Sequence, residues 1–211
     1  KEFKYVIKED SGNIPGITYD THEEEITVKV SDKGDGTLQI TADKATETSP
    51  VTFTNVYKAE GTFTFTALKA FKEGSKLPSG KSFSFVLKED GKVIETISVN
   101  GTGSVSFKPL KYAVNPANGE YAVGEHTYSI EEVKPAGATA ENNYTYQGIT
   151  YDNNVYTVKL VVEDDGNGNL VTKVDGNVQA TFNATFTNDY KVEDAKITLN
   201  GNKVLKGLDL K

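Results

Sequence analysis

The feature that most constrains this sequence is a short segment that occurs twice, as residues 51–57 (VTFTNVY) and residues 184–190 (ATFTNDY). Both copies are rich in Thr, Phe and Tyr, which is typical of β-strands. Because strand side chains alternate between two faces, Asn188 shares a face with its aromatic neighbours, and Asn55 occupies the corresponding position in the first copy. An amide among aromatic rings has no water to bond, so its recurrence needs a chemical reason.

The remaining sequence predicts an all-β protein. Short alternating segments separated by Gly, Asn, Asp and Pro turns dominate, and almost no stretch has helical periodicity. This pattern is typical of antiparallel Ig-like β-sandwiches.

Further segments repeat in the same order as the strand. Residues 5–9 match 128–132, residues 16–20 match 148–152, residues 26–30 match 158–162, and residues 32–37 match 164–169. We therefore predict tandem repeats. Residues 1–58 are the C-terminal part of one β-sandwich repeat, 59–191 a complete repeat, and 192–211 the first strand of a following repeat.

Composition limits the functional classes. The formal net charge is −7 and the lysines are dispersed, which argues against nucleic-acid binding. The 211 residues include no Cys and no Met, so disulfides and Cys-ligated metals are excluded and little is easily oxidised. This fits an extracellular setting. No long apolar run predicts membrane insertion in this segment, and no feature calls for a cofactor.

Three unlike polar residues lie in phase with apolar neighbours predicted to be buried. They are Lys69, Glu132 and Asn188, and the partial copies at the two ends contain Lys203, Glu9 and Asn55. A lone buried lysine or glutamate is costly and is usually neutralised or paired. The three residues of one repeat could instead react together, with the amine attacking the asparagine carbonyl and expelling ammonia.

Burial would supply the activation. Desolvation lowers the pKa of the lysine towards a neutral nucleophile and raises that of the glutamic acid, which then stays protonated and relays protons. A packed core also holds the reactants together. The reaction occurs once per domain, so it is self-maturation and the chain is not predicted to be an enzyme.

These residues resemble a known family, the isopeptide-linked Ig-like (CnaB/pilin-type) domains of Gram-positive, streptococcal-type major pilins. The resemblance is carried by Lys69 before a Gly-containing loop, by residues 128–132 (YSIEE), by 148–152 (GITYD) and by 186–190 (FTNDY). It implies a bond from Lys69 to Asn188, with Glu132 as catalyst. Glu9 would be the equivalent catalyst in the first, partial repeat.

The partial repeats depart from this pattern. The sequence contains no equivalent of Lys69 ahead of Glu9 and Asn55, and neither glutamate nor asparagine follows Lys203. We therefore predict one complete bond within the chain, with Asn55 and Lys203 as unpaired cross-link candidates. Lys203 of one molecule could reach Glu9 and Asn55 of the next by strand complementation.

Plainer interpretations remain open. The polar triad could be separate, hydrogen-bonded residues at the edges of a sandwich. The turns of residues 32–37 and 164–169 could hold calcium, although hairpin turn chemistry explains their Asp and Asn residues as well, and no metal is predicted. Residues 109–116 and 135–143 are the longest irregular stretches and the candidate ligand-contacting loops.

The leading functional prediction is a structural and adhesive segment of a bacterial stalk or pilus shaft, secreted and attached to the cell wall by an anchor outside this segment. Its partners would be neighbouring repeats or pilus subunits, with a host-surface ligand as a further option. One alternative is an Ig-like adhesin module that binds a host protein or glycan without internal cross-links. Another is an accessory domain of a secreted glycoside hydrolase.

Overall fold

The computed structural model describes residues 1–76, 79–115, 117–192, 194–203 and 206–207. Residues 1–58 contain five strands: β1 (Glu2–Lys8), β2 (Ile17–Thr18), β3 (Glu23–Asp32), β4 (Leu38–Ala42) and β5 (Val56–Tyr57). The described residues between 59 and 191 contain thirteen more and one short 3-10 helix, Ala140–Asn142. These strands are β6 (Ala59–Phe71), β7 (Ser82–Glu89), β8 (Lys92–Asn100), β9 (Gly103–Ser106), β10 (Leu110–Asn115), β11 (Glu120–Tyr121), β12 (Gly124–Glu132), β13 (Thr145–Tyr146), β14 (Ile149–Thr150), β15 (Val155–Asp164), β16 (Leu170–Val174), β17 (Asn177–Val178) and β18 (Thr181–Tyr190).

The all-β prediction is confirmed, and residues 59–191 form a sandwich of two sheets. One sheet has the order β11-β10-β6-β18-β14-β13, with β9 also paired to β6, and the other has the order β17-β16-β15-β12-β7-β8. Aromatic side chains from the inner faces meet between them: the ring centroids of Phe85 and Phe186 are 5.0 Å apart, and those of Phe65 and Tyr128 are 5.2 Å apart. Within the described residues, no helix is long and apolar enough to cross a membrane.

One strand pair departs from the predicted antiparallel arrangement. β6 and β18 run parallel, with Lys69 in register with Phe186 and Phe71 with Asn188. These are the first and last strands of residues 59–191, and the chain between them passes through both sheets, so no hairpin forces them to be antiparallel. The remaining pairs between named strands are antiparallel.

The predicted buried face of the first repeat is largely exposed. β1, β3 and β4 form a three-stranded sheet, and Tyr5 and Ile7 are 54% and 38% exposed. Asn55 is also exposed, and only residues 56–57 of the predicted strand 51–57 form a strand. The physical reason is that residues 1–58 supply no counterpart of β6. Residues 51–57 therefore have no long strand to pair with, and the sheet of β1, β3 and β4 has no second sheet facing it.

The predicted strand in residues 192–211 is not formed where the structure describes it. Residues 194–203 have no regular structure, and Ile197 and Leu199 are 82% and 84% exposed. A strand needs a neighbour to satisfy its backbone groups, and residues 194–203 pair with no strand among the described residues. Positions 193, 204–205 and 208–211 lie outside the described residues, and the following repeat stays a prediction.

The first predicted ligand loop is a strand for most of its length. Residues 110–115 form β10, which pairs with β6, and Tyr112 and Val114 point into the core. Leu110, Tyr112 and Val114 alternate along this segment in the pattern typical of a strand. Pro109 lies just before it, where a strand tolerates proline. Residue 116 lies outside the described part of the chain.

Candidate isopeptide site

Three strands from two sheets bring the predicted triad together. Lys69 lies near the end of β6, Glu132 is the last residue of β12 and Asn188 lies near the end of β18. Each continues an alternating row of buried side chains, so the strand period alone turns it inward. The three side chains are essentially inaccessible, with exposed fractions of 1%, 2% and 0% respectively.

The carboxyl group of Glu132 bridges the other two residues. Lys69 Nζ lies 2.9 Å from Glu132 Oε1, and Asn188 Nδ2 donates a hydrogen bond to the same oxygen at 3.0 Å. Lys69 Nζ also lies 3.4 Å from the main-chain oxygen of Phe186. Within the described residues, Glu132 Oε2 is buried and has no hydrogen-bond partner. One oxygen therefore contacts both would-be reactants, and the other is available to carry a proton.

Burial moves both titrating groups towards their neutral forms. Desolvation lowers the pKa of Lys69, although the nearby Glu132 opposes the shift. Desolvation likewise raises the pKa of Glu132 against the opposing effects of Lys69 and Asn188. A neutral amine is a nucleophile and a neutral carboxylic acid is a proton donor, so the two shifts favour the chemistry predicted from the sequence.

Aromatic rings provide the low-dielectric surroundings. Lys69 Nζ lies 5.0 Å from the ring centroid of Phe83 and 5.5 Å from that of Phe71. Phe186, two residues before Asn188, is fully buried and packs against Phe85. Water is therefore excluded from the site, which strengthens every electrostatic interaction within it.

Asp152 is a site residue to which the sequence prediction gave no role. Its main-chain N–H donates to Asn188 Oδ1 at 2.8 Å. Its carboxylate accepts hydrogen bonds from the main-chain N–H groups of Thr187 at 2.7 Å and Asn154 at 2.9 Å. The amide carbonyl is thus polarised by the backbone of Asp152.

Residues 1–58 reproduce this half of the site. Asn55 Nδ2 donates to Glu9 Oε1 at 2.7 Å, and Asp20 N–H donates to Asn55 Oδ1 at 2.9 Å. Asp20 Oδ2 accepts from Thr54 N–H at 2.8 Å, as Asp152 does from Thr187. Backbone hydrogen bonds, that from Thr54 first, lower the pKa of Asp20 to about 2. The identical GITYD segments at 16–20 and 148–152 were the sequence signal for this aspartate.

Lys203, the predicted lysine candidate for Glu9 and Asn55, is not brought to this half-site. Lys203 is exposed and lies in the segment 194–203, which has no regular structure. The structure therefore assembles one complete triad, Lys69 with Glu132 and Asn188, and leaves Asn55 and Lys203 apart.

In both acidic turns an aspartate accepts hydrogen bonds from the turn itself. Asp165 Oδ1 accepts from the N–H groups of Asn167 and Asn169, at 2.7 and 3.1 Å. Asp35 Oδ1 accepts from Thr37 N–H at 2.9 Å. This is hairpin turn chemistry. Among the described residues, no three acidic or His side chains are grouped as a metal site.

A family model matches the two parts of the chain. The model, FctA, is described as a Spy0128-like isopeptide containing domain, and it matches residues 1–58 and 59–191. The chain belongs to this family. It is therefore a Gram-positive pilin-type isopeptide domain protein, as the resemblance in the sequence implied.

Solved structures of pilins are also similar to the chain, at low identity. The major pilin T3.2 of Streptococcus pyogenes is 19% identical, with 90% of this chain and 68% of that one covered and a TM-score of 0.26. A further Streptococcus pyogenes major pilin is 17% identical, with 90% and 70% covered and a TM-score of 0.24. The pilus adhesin SpaC of Lactobacillus rhamnosus GG is 13% identical, with 87% and 20% covered and a TM-score of 0.31. At these TM-scores the family assignment rests on the family model, and no curated protein matches significantly.

Proposed function

We propose that this chain is a load-bearing segment of a pilus shaft or stalk on a Gram-positive cell surface, and that residues 59–191 cross-link themselves through an isopeptide bond between Lys69 and Asn188. One observation carries the proposal. The amine and the amide, each buried, contact the same oxygen of a buried carboxyl group, at 2.9 and 3.0 Å.

The reaction begins with the neutral amine. Lys69 Nζ attacks Asn188 Cγ, and the carbonyl electrons move to Oδ1, where the Asp152 N–H stabilises the developing negative charge. Glu132, protonated at the start, delivers its proton to Asn188 Nδ2 and is reprotonated by the attacking nitrogen, because it contacts both nitrogens.

Expulsion of ammonia completes the step. The Cγ–Nδ2 bond breaks, the leaving nitrogen departs as ammonia and an Nζ–Cγ amide remains. The glutamic acid regains its starting protonation state, and no oxidant, metal or other reagent is consumed. The domain reacts once, so the chemistry is a maturation step of a structural protein.

The position of the bond defines a mechanical role. Force that enters at residue 59 travels along β6 to Lys69, and force that leaves at residue 191 travels along β18 from Asn188. Because the two strands are parallel, pulling their opposite ends would shear them past one another. A covalent bond near the shared end prevents this, and the 118 residues between the two partners carry no load.

Single-molecule pulling tests the function. With handles at both ends of the chain, the parent protein should show no unfolding step for the cross-linked domain. Glu132→Gln keeps the volume of the side chain and removes its carboxyl group. This variant should therefore show an unfolding step that lengthens the chain by roughly 400 Å. An equal step in both proteins would contradict a load-bearing bond.

A further inference from the structure

The last strand changes partners at the reactive asparagine. Residues 181–188 of β18 pair with β6, whereas Asp189 and Tyr190 pair with β14. A main-chain hydrogen bond from Lys72 N–H to Asn188 O, at 2.9 Å, closes the pairing with the β6 side. The ladder therefore holds the two reacting strands together as far as Asn188 and no further.

A turn directly after β6 brings a serine back to the end of β18. Residues 72–75 form this turn, and Ser75 N–H donates to Lys72 O at 3.1 Å. Gly74, its third residue, has φ +83°, the value that the third position of a type II turn requires and that glycine adopts without steric cost. The hydroxyl of Ser75 is thereby placed beside the part of β18 that β6 no longer pairs.

Ser75 binds two consecutive residues of β18. Its hydroxyl donates to Asp189 Oδ1 at 3.0 Å and accepts from Tyr190 N–H at 3.3 Å. Two lysines also lie near the Asp189 carboxylate: the Nζ atoms of Lys72 and Lys191 are 3.7 and 3.6 Å from Oδ2, on side chains that are 63% and 83% exposed. Ion pairs this exposed contribute little. The serine hydroxyl is therefore the contact that fixes Asp189.

The two copies of the strand differ at the position of this aspartate. Residues 184–190 are ATFTNDY and residues 51–57 are VTFTNVY, so Val56 stands where Asp189 stands in the complete repeat. Residues 1–58 also contain no counterpart of β6, of Lys69 or of the turn that follows them. The aspartate thus accompanies the asparagine that has a lysine to meet.

We propose that Ser75 and Asp189 are positioning residues for the cross-link. They tie the chain after β6 to the residue that follows Asn188, and so hold the asparagine carbonyl within reach of the Lys69 amine. Their side chains bond to β18 and to each other, and they act on the reaction through the main chain. A displacement of about 1 Å can slow such a step about a hundredfold. This role rests on the proposed cross-link between Lys69 and Asn188.

The rate of ammonia loss after cell-free synthesis, followed by intact mass, tests this role. Ser75→Ala removes both hydrogen bonds and should slow cross-linking by about tenfold or more. Ser75→Thr keeps a hydroxyl and should recover most of the rate. Ser98→Ala is the matched control, because it also removes one serine hydrogen bond, to Ser84 at 2.8 Å in the other sheet.

The outcomes separate this role from the proposed function. A parent chain that cross-links no faster than Ser75→Ala would overturn the positioning role alone. A parent chain that never loses ammonia would overturn the proposed function, and the positioning role with it.

Asp189 provides an independent test. Asp189→Val introduces the side chain found at position 56 and should slow the reaction as Ser75→Ala does. Asp189→Asn keeps an acceptor oxygen for Ser75 and should recover most of the rate. Because the two residues share one hydrogen bond, Ser75→Ala combined with Asp189→Val should be about as slow as either alone. Effects that multiply in the double variant would overturn a shared tie.

Unfolding curves separate positioning from stability. The same substitutions, made in the non-reacting Glu132→Gln background, give the folded fraction under the conditions of the rate measurement. We expect Ser75→Ala to stay folded there, so that its slow reaction reports geometry. A slowing no larger than the loss of folded protein would overturn the positioning role.

Discussion

Lys69 and Asn188 lie on neighbouring parallel strands, two residues out of register, yet both side chains end on one oxygen of Glu132 in the facing sheet. The offset lets side chains of different length reach the same oxygen, because the long lysine and the short asparagine start from different positions along the strand direction. Both strands can therefore keep regular geometry. The carboxyl group between the two nitrogens is placed to move protons from one to the other.

Loss of the cross-link should lower stability by a large amount. Glu132→Gln leaves Lys69 and Asn188 unjoined, and closure of a loop of about 120 residues stabilises a fold by about 5 kcal/mol in the chain-entropy model. Denaturant unfolding of the parent and the variant measures the difference. Glu131→Gln is the matched control, since Glu131 is only partly buried and pairs with Lys88. A loss below about 1 kcal/mol for Glu132→Gln would contradict the closure.

Lys69→Met should make stability fall with rising pH. In this variant Glu132 is buried without its cation, and desolvation keeps its pKa above the ordinary value. The folded state then binds the proton more tightly than the unfolded state. The stabilisation from this proton is complete below the pKa that Glu132 has in the unfolded state. It is lost as the pH rises through the pKa of Glu132 in the folded state, by up to about 1.4 kcal/mol per pH unit.

Chemical denaturation of Lys69→Met at several pH values measures this slope. Adding Glu132→Gln to the same variant removes the titrating group and should flatten the profile. If the double variant keeps the slope of Lys69→Met, Glu132 is not the source of the pH dependence.

Asp152→Ala should slow bond formation without removing any of the three reacting residues. The carboxylate of Asp152 fixes the backbone whose N–H binds Asn188 Oδ1, and its loss frees the N–H groups of Thr187 and Asn154. The cross-linked fraction after synthesis, followed by mass over time, is the measurement. Asp165→Ala is the matched control because Asp165 also binds two backbone N–H groups, in a remote turn. Equal rates in both variants would deny Asp152 a positioning role.

Asn55 should remain an intact asparagine. It has a glutamate and a backbone donor in the same geometry as Asn188, but Lys203 lies in a separate, exposed segment. Peptide mapping should recover the segment around Asn55 at its full mass and unlinked. Recovery of that segment joined to a lysine peptide would show that a second bond forms, within or between molecules.

The sequence predicted the triad because strand periodicity is a local property. Lys69, Glu132 and Asn188 each continue an alternating row, and the structure buries every one. The exposure of Tyr5 and Asn55 was not predictable from period alone, because burial also needs a facing sheet that residues 1–58 do not supply. Asp152 was missed because it acts mainly through its main chain, whose N–H has no sequence signature; its recurrence as Asp20 was the available clue.

Intact mass shows whether Lys69 and Asn188 are joined. We expect the folded parent chain to be lighter than its sequence by the mass of one ammonia, and Lys69→Met, Glu132→Gln and Asn188→Ala each to have the full mass of their sequences. Asn55→Ala should keep the one-ammonia deficit. A folded parent chain at its full sequence mass would contradict the cross-link.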